Sequence, residues 1–244
     1  MLLNFIYIKN MKNDLNIKAL TFDTGGTILD WHSGFKEGFK KIRDKNNLNF
    51  STPEYANLMR KKSLEKVTNQ NNNNLINFDK AHQIAVEEII IEKKLNVTEE
   101  EKYFLYYITP TKLKVWPDFL NPFQLLKKKY FCVSFTLLSN RLVYTNSKAN
   151  NIAWDLVLSC ETLEAYKPNI EAYKKTANLL QFKPEECLMI ACHSFDLNAA
   201  QKAGYKTAFV KRDKEWGKNT LINVDGKYDF VVNNFSELQK ILDN

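Results

Sequence analysis

Ile17-Lys18-Ala19-Leu20-Thr21-Phe22-Asp23-Thr24-Gly25-Gly26-Thr27 is the stretch that decides how this chain folds. An apolar run of strand length ends on a carboxylate, and two glycines follow almost at once. A strand that delivers Asp23 into a tight Gly-Gly turn sets backbone N–H groups beside it and leaves its approach side open, as a nucleophile requires. The same aspartate would equally serve to cap the next segment. These residues alone leave both readings standing.

Working outward, further strands are expected at residues 132–138, 156–160, 187–191, 207–211 and 230–232. They are continuous apolar runs rather than alternating ones, the pattern of strands buried on both faces of a parallel sheet. Helical patterns lie between them. Ile170, Tyr173, Ala177 and Leu180 recur at helical spacing behind Pro168, and Leu197, Ala200 and Ala203 form a stripe stopped by Gly204. Strand–helix alternation predicts an α/β fold with a doubly wound parallel sheet.

Residues 33–112 read differently. They carry helical patterns at 55–67, 79–94 and 98–107, a polar break over 69–74, and no strand. An all-helical insertion after the first strand predicts a lid over the sheet's carboxyl edge. The expected division is a core of residues 11–32 and 113–244, a helical cap of 33–112, and an extension of 1–10 with Met11 as a possible start. Ligands of open α/β sheets bind beyond the carboxyl ends of the strands. Asp23, Ser139-Asn140, Lys167, His193 and Asp196 all fall there.

Composition narrows the function classes. No apolar stretch approaches the roughly 20 residues of a membrane helix, and the N-terminus lacks the basic start and cleavage site of a signal peptide. Cys132, Cys160, Cys187 and Cys192 lie in or beside apolar runs with no CxxC spacing, which predicts buried free thiols, a cytoplasmic protein and no metal site. The net charge of +7 invites a nucleic-acid partner, but the cations are interleaved with acids. The densest runs, Arg60-Lys61-Lys62 and Lys127-Lys128-Lys129, come without a recognition motif. The expectation is a small anionic substrate, no nucleic acid and no membrane.

Phe22-Asp23-Thr24-Gly25-Gly26-Thr27-Ile28-Leu29-Asp30-Trp31-His32-Ser33 then stands with Trp116-Pro117-Asp118, Leu137-Leu138-Ser139-Asn140, Ala165-Tyr166-Lys167-Pro168 and Ala191-Cys192-His193-Ser194-Phe195-Asp196. In this order they resemble the haloacid dehalogenase superfamily, and within it the type II L-2-haloacid dehalogenases, over residues 17–217. The resemblance implies a Rossmann-like core with an inserted helical cap, a homodimer and no cofactor. It implies that Asp23 displaces halide from C2 of a short 2-haloacid and forms an aspartyl ester, which water hydrolyses to a 2-hydroxy acid. Lys167 and Thr27 would hold Asp23, and Asp196 would orient the water. Ser139 and Asn140 would bind the substrate carboxylate, and Arg60 would cradle the halide. Tyr173, Trp31 and Phe195 would complete the pocket.

Each residue also has a plainer reading. Lys167 reads as a loop lysine, Asp196 as a helix cap, Ser139-Asn140 as a turn, Arg60 as a solvated cation, and Tyr173 as core. His32 and His82 read as structural. Three departures bear on chemistry. Gly25 stands where superfamily phosphatases carry a general acid and dehalogenases an aromatic residue. Cys192 replaces an acidic magnesium ligand, and His193 stands where dehalogenases often have asparagine. Loss of both acids argues against magnesium-dependent phosphate chemistry. His193 offers a base near neutral pH, and Arg141, after Ser139-Asn140, a further cation for an acid substrate.

Overall fold

The computed structural model of this chain describes residues 16–70, 75–217 and 224–243. The expected extension over residues 1–10, with Met11, and the centre of the polar break at 71–74 lie outside them.

The apolar run at residues 17–22 forms β1 (Ala19–Phe22), and every residue of it is buried. It is a central strand of six. The others are β4 (Phe131–Thr136), β5 (Leu156–Ser159), β6 (Cys187–Ala191), β7 (Lys206–Val210) and β8 (Phe230–Val232). The order is β5-β4-β1-β6-β7-β8 and every pairing is parallel. From β1 the chain winds outward through β4 and β5, then returns to β6 on the other side and continues to β7 and β8. The doubly wound reading holds. The reversal opens a crevice at the carboxyl end of β1, where Asp23 sits.

Between strands run α5 (Leu120–Leu126), α6 (Asn140–Ala149), α7 (Cys160–Leu163), α8 (Ile170–Leu180), α9 (Ser194–Lys202) and the terminal α10 (Phe235–Asp243). Phe22 anchors one side of the sheet, its ring within 5.5–6.2 Å of Phe119, Phe123, Trp154 and Phe235. Ring pairs at this spacing add about 0.5–1.5 kcal/mol each beyond their buried area.

After Asp23 the chain turns through Gly25-Gly26 into β2 (Leu29–Asp30) and enters a helical insert. The insert holds α1 (Trp31–Lys45), α2 (Thr52–Thr68), α3 (Phe78–Glu92) and α4 (Glu99–Tyr103). A wider turn at Phe104–Ile108 and a tighter one at Thr109–Thr111 return it through β3 (Lys114–Val115), antiparallel to β2. The periodicity at 55–67, 79–94 and 98–107 foreshadows α2, α3 and α4. α1 was not anticipated, although Trp31, Phe35, Phe39 and Ile42 line one buried face of it. Gly34 and Gly38 dilute its pattern, while Asp30 caps it by accepting from the Ser33 N–H at 2.9 Å. The pair β2–β3 is two residues per strand, below what alternation can reveal.

Neither basic run is a free patch. Arg60 is buried, Lys62 pairs with Glu88 and Glu92, Lys127 with Asp155, and Lys129 with Asp243. All four cysteines are buried free thiols. Among the described residues no helix is long and apolar enough to cross a membrane.

Candidate active site

Asp23 is held from the backbone outward. Its N–H continues the sheet ladder to Ile190 O at 2.9 Å, so the side chain starts from a rigid base. Thr27 Oγ1 donates to Oδ2 at 2.8 Å, and His193 Nδ1 lies 3.1 Å from the same oxygen. Lys167 Nζ stands 3.3 Å from Oδ1. Oδ2 therefore has two close donors and Oδ1 a single longer one. Burial works against ionisation here, but the Lys167 charge and the His193 and Thr27 contacts outweigh it. The carboxyl is held well below its ordinary range.

Lys167 is fully buried and lies over the Phe135 ring at 4.5 Å. Its shorter partner is Asp196 Oδ2, at 2.7 Å. Burial opposes its charge, yet Asp196 and Asp23 keep its pKa raised. Tyr173 Oη donates to Asp196 Oδ1 at 2.5 Å, so both carboxylate oxygens of Asp196 are engaged. Burial, and then the charge of Asp23, push the Asp196 carboxyl above its usual value. A buried ion costs several kcal/mol of desolvation unless it is paired and hydrogen-bonded, a condition this triad meets.

Arg60 reaches from α2 to the same place. Its guanidinium is packed 5.4 Å from the Trp31 ring and 5.8 Å from Phe78, and Nη2 donates to Gly25 O at 3.0 Å. A Cβ on Gly25 would lie 3.5 Å from Nη1, so the space that Gly25 leaves is taken up by this cation. No carboxylate lies within ion-pair distance of Arg60 among the described residues, though its charge helps to lower Glu215, and its buried Nε has no hydrogen-bond partner. Asp23, Gly25, Arg60, Phe78, His193 and Phe195 border a cavity with the backbone turn Thr136–Leu138. The free space is only about 10 Å³, roughly one water.

Glu215, which the sequence did not single out, is the surprise. It is buried behind His193, taking Nε2 of that ring at 2.9 Å and the Trp31 Nε1 hydrogen at 2.9 Å on one oxygen, Oε1. Cys192 Sγ lies 3.6 Å from the other, Oε2, and 3.5 Å from His193 Nε2. Gly26 admits this arrangement: its φ is +96° and a Cβ there would stand 2.2 Å from Glu215 Oε1. Burial opposes charge on both partners. The charge and hydrogen bond of His193 nevertheless hold Glu215 below its usual range. Cys192, Glu215 and Asp23 hold His193 well above its own. Three acids, Asp23, Asp196 and Glu215, then face three cations, Lys167, His193 and Arg60. Cys192, His193 and Glu215, where the sequence points to no metal site, bring potential ligand atoms all within 4.8 Å of one another. Spacing along the chain conceals them, because the third ligand arrives from beyond β7.

Other expected site residues are placed elsewhere. Ser139 caps α6 and donates to Asp79 Oδ2 of α3 at 2.6 Å. Arg141 grips both oxygens of the same carboxylate. The Asn140 N–H donates to Glu161 Oε2 at 2.7 Å, and its side-chain oxygen accepts from Thr162. Neither Ser139 nor Asn140 borders the Asp23 cavity, because the protein's own carboxylates occupy their donors. Trp31 stands behind Arg60 rather than in the wall, and Phe78 takes that position. Tyr173 and Asp196 lie beneath Lys167, outside the cavity. Phe195 is in the wall, stacked on His193 at 5.4 Å. His82 is buried between Phe35 and Phe78, where burial, then Arg60 and Arg141, push it down to about 3.

A family model described as haloacid dehalogenase-like hydrolase matches residues 20–210. The (S)-2-haloacid dehalogenase of Pseudomonas putida is 24% identical over 240 residues, 94% of this chain and 98% of its own length. The pyrophosphatase PpaX of Bacillus cereus (strain B4264) is 35% identical over 92 residues. That match spans 37% of this chain and only 41% of the pyrophosphatase. The crystal structure of the L-2-haloacid dehalogenase PA0810 superimposes with a TM-score of 0.85 at 24% identity, covering 93% of this chain and 99% of that one.

Proposed function

This chain belongs to the haloacid dehalogenase-like hydrolase family, and from that premise we propose that it hydrolyses short 2-haloalkanoic acids through an aspartyl ester, without a metal in the reaction. The observation that carries the reading is the pairing of Asp23, held ionised, with a buried Arg60 that has no carboxylate partner, across one apolar-walled cavity. A cation poised opposite a nucleophile suits a reaction in which negative charge moves from the attacking oxygen to the departing atom.

Oδ1, the less engaged oxygen, attacks C2 of the substrate. The C–halogen bond breaks, and halide leaves toward Arg60. Oδ2 becomes the carbonyl oxygen of the ester, already facing Thr27 Oγ1 and His193 Nδ1. Water then adds to the Asp23 carbonyl carbon. Charge develops on Oδ2, where those two donors stabilise it, and a removed donor of this kind costs about 10²–10³ in rate. Collapse releases the 2-hydroxy acid and restores the carboxylate. Lys167, 3.3 Å from Oδ1 and 2.7 Å from Asp196 Oδ2, passes one water proton on toward Asp196, whose carboxyl is raised by burial, and the other water proton goes to the departing alkoxide. Ser139 and Arg141 receive the substrate carboxylate in place of Asp79 once the insert lifts. A homodimer is the assembly we propose from the family resemblance, and light scattering checks it directly.

The test is halide release from 2-chloropropionate in the presence of a chelator. A single turnover in heavy-oxygen water then places the label in the Asp23 peptide, because water enters at that carbonyl carbon. An unlabelled peptide, with the label in product, refutes the ester.

One observation favours a second reading. Glu215 supplies a buried carboxylate beside Cys192, at the position where superfamily phosphatases hold an acidic magnesium ligand. A phosphate-ester hydrolase agrees with that and with the pyrophosphatase relative. Gly25 supplies no proton to a leaving alkoxide, which weighs against it. Magnesium-stimulated phosphate release, with no halide release, would select it.

A further inference from the structure

The cluster behind His193 is a ligand set as well as a hydrogen-bond network. We propose that Cys192, His193 and Glu215 bind one thiophilic divalent cation, Zn²⁺ above all, on the side of the His193 ring away from Asp23. Three features support this, and none depends on which reaction Asp23 performs.

The first is geometry. Tetrahedral zinc, with bonds of about 2.3 Å to sulfur and about 2.0–2.1 Å to nitrogen or oxygen, sets sulfur roughly 3.5 Å from its fellow ligands. Cys192 Sγ stands 3.5 Å from His193 Nε2 and 3.6 Å from Glu215 Oε2. Two edges of the tetrahedron are therefore already in place. The third ligand oxygen is Oε2, which leaves Oε1 on the Trp31 N–H.

The second is donor type. One thiolate, one imidazole and one carboxylate suit zinc, whereas magnesium demands a shell of oxygens. The third lies one bond further out. A histidine that ligates metal through one nitrogen characteristically donates its other N–H to a carboxylate, which fixes the ring. His193 presents Nε2 to the cluster and Nδ1 to Asp23 Oδ2, at 3.1 Å. Three protein ligands leave a fourth position for water.

Occupancy preserves the Nδ1 hydrogen bond to Asp23 and exchanges the bridging proton between His193 and Glu215 for the metal. The nucleophile then sits one imidazole away from a fixed positive charge.

The experiment titrates Co²⁺ into the metal-free, full-length protein and reads the thiolate-to-cobalt charge-transfer band. One equivalent is expected to bind with that band. Cys192→Ser is expected to abolish it, Glu215→Gln to weaken binding at least tenfold, and Cys132→Ser to leave it in place. X-ray absorption of the Zn²⁺-loaded wild-type protein is expected to show one sulfur and an imidazole, and this arm needs no variant to fold. Absence of the band, its survival in Cys192→Ser, or a zinc shell without sulfur overturns the site.

Discussion

Asp23 and His193 share one hydrogen bond, and each keeps the other charged. Asp23→Asn therefore removes both the nucleophile and a partner of the imidazolium. Turnover is expected to fall on the order of 10⁴-fold or more, the scale on which lost nucleophiles act. Residual halide release near the wild-type rate would transfer the role to another group. The pH dependence has opposite signs for the pair. Asp23 is lowered, so its stabilisation is present above its unfolded value of about 3.9 and is lost as pH falls through the folded value. His193 is raised, so its stabilisation is complete below about pH 6.5 and is lost as pH climbs through the folded value. Melting temperatures measured upward from about pH 6.5 should decline for the wild type and stay flatter for His193→Gln. Equal slopes would mean that the ring is neutral throughout. Gly26 carries a separate test. An added methyl collides with Glu215 at a left-handed backbone position, and Gly26→Ala should cost about 1–3 kcal/mol by denaturant melting. Asp23, Thr27 and Lys167 stand out because each sits in a short linear motif, whereas Arg60 lies in a basic run that equally reads as solvated. Glu215 does not stand out, since Lys211-Arg212-Asp213-Lys214-Glu215 reads as any solvated charge run until folding buries its last member.

At the scale of elements, α3 is latched to the core by its first turn. Asn77 Nδ2 donates to Glu161 at 2.7 Å, and Asp79 takes Ser139 and Arg141 together. Ser139 and Arg141 thus hold a carboxylate that the insert itself supplies. On the proposed reaction a substrate acid would displace Asp79, and its apparent affinity would be reduced by that competition. Asp79→Ala should tighten inhibition by propionate about tenfold, equivalent to about 1.4 kcal/mol. Unchanged inhibition would show that the acid binds elsewhere. The latch also explains where Ser139 and Asn140 stand. Their motif placed them correctly at the end of a core strand, but the two-residue turn of Leu137 and Leu138 and the arrival of α3 direct their donors away from Asp23. Residues far apart along the chain meet there, and no local pattern records such a meeting. α1 escaped for the opposite reason: its signal is local, but two glycines interrupt it.

For the molecule as a whole, the sheet was legible because strands buried on both faces are written as continuous apolar runs, and its doubly wound class followed from their alternation with helices; the strand order is read from the structure alone. How tightly the insert closes was not legible, being set by contacts between two bodies of the fold. The space beside Asp23 is about 10 Å³, so on the proposed reaction a haloacid would enter only with the insert moved and would meet a basic surface first. The chain carries a net charge of +7, and the entry face adds Arg60 and Arg141 once the latch is released. Attraction of a small anion to such a surface is screened over about 10 Å at 0.1 M salt. For an anionic 2-haloacid, kcat/KM should fall severalfold as sodium sulfate is raised from roughly 0.003 M to 0.3 M, an ionic strength of about 0.01 M to 0.9 M, across which the screening length shrinks from about 30 Å to about 3 Å. The change should appear in KM, with kcat nearly constant, because the ionised groups around bound substrate are buried and escape screening. Sulfate gives the same screening without offering Arg60 a competing halide. A kcat that falls in step with kcat/KM would instead place the salt-sensitive charges inside the closed site, against the buried positions of Asp23, Lys167 and Arg60.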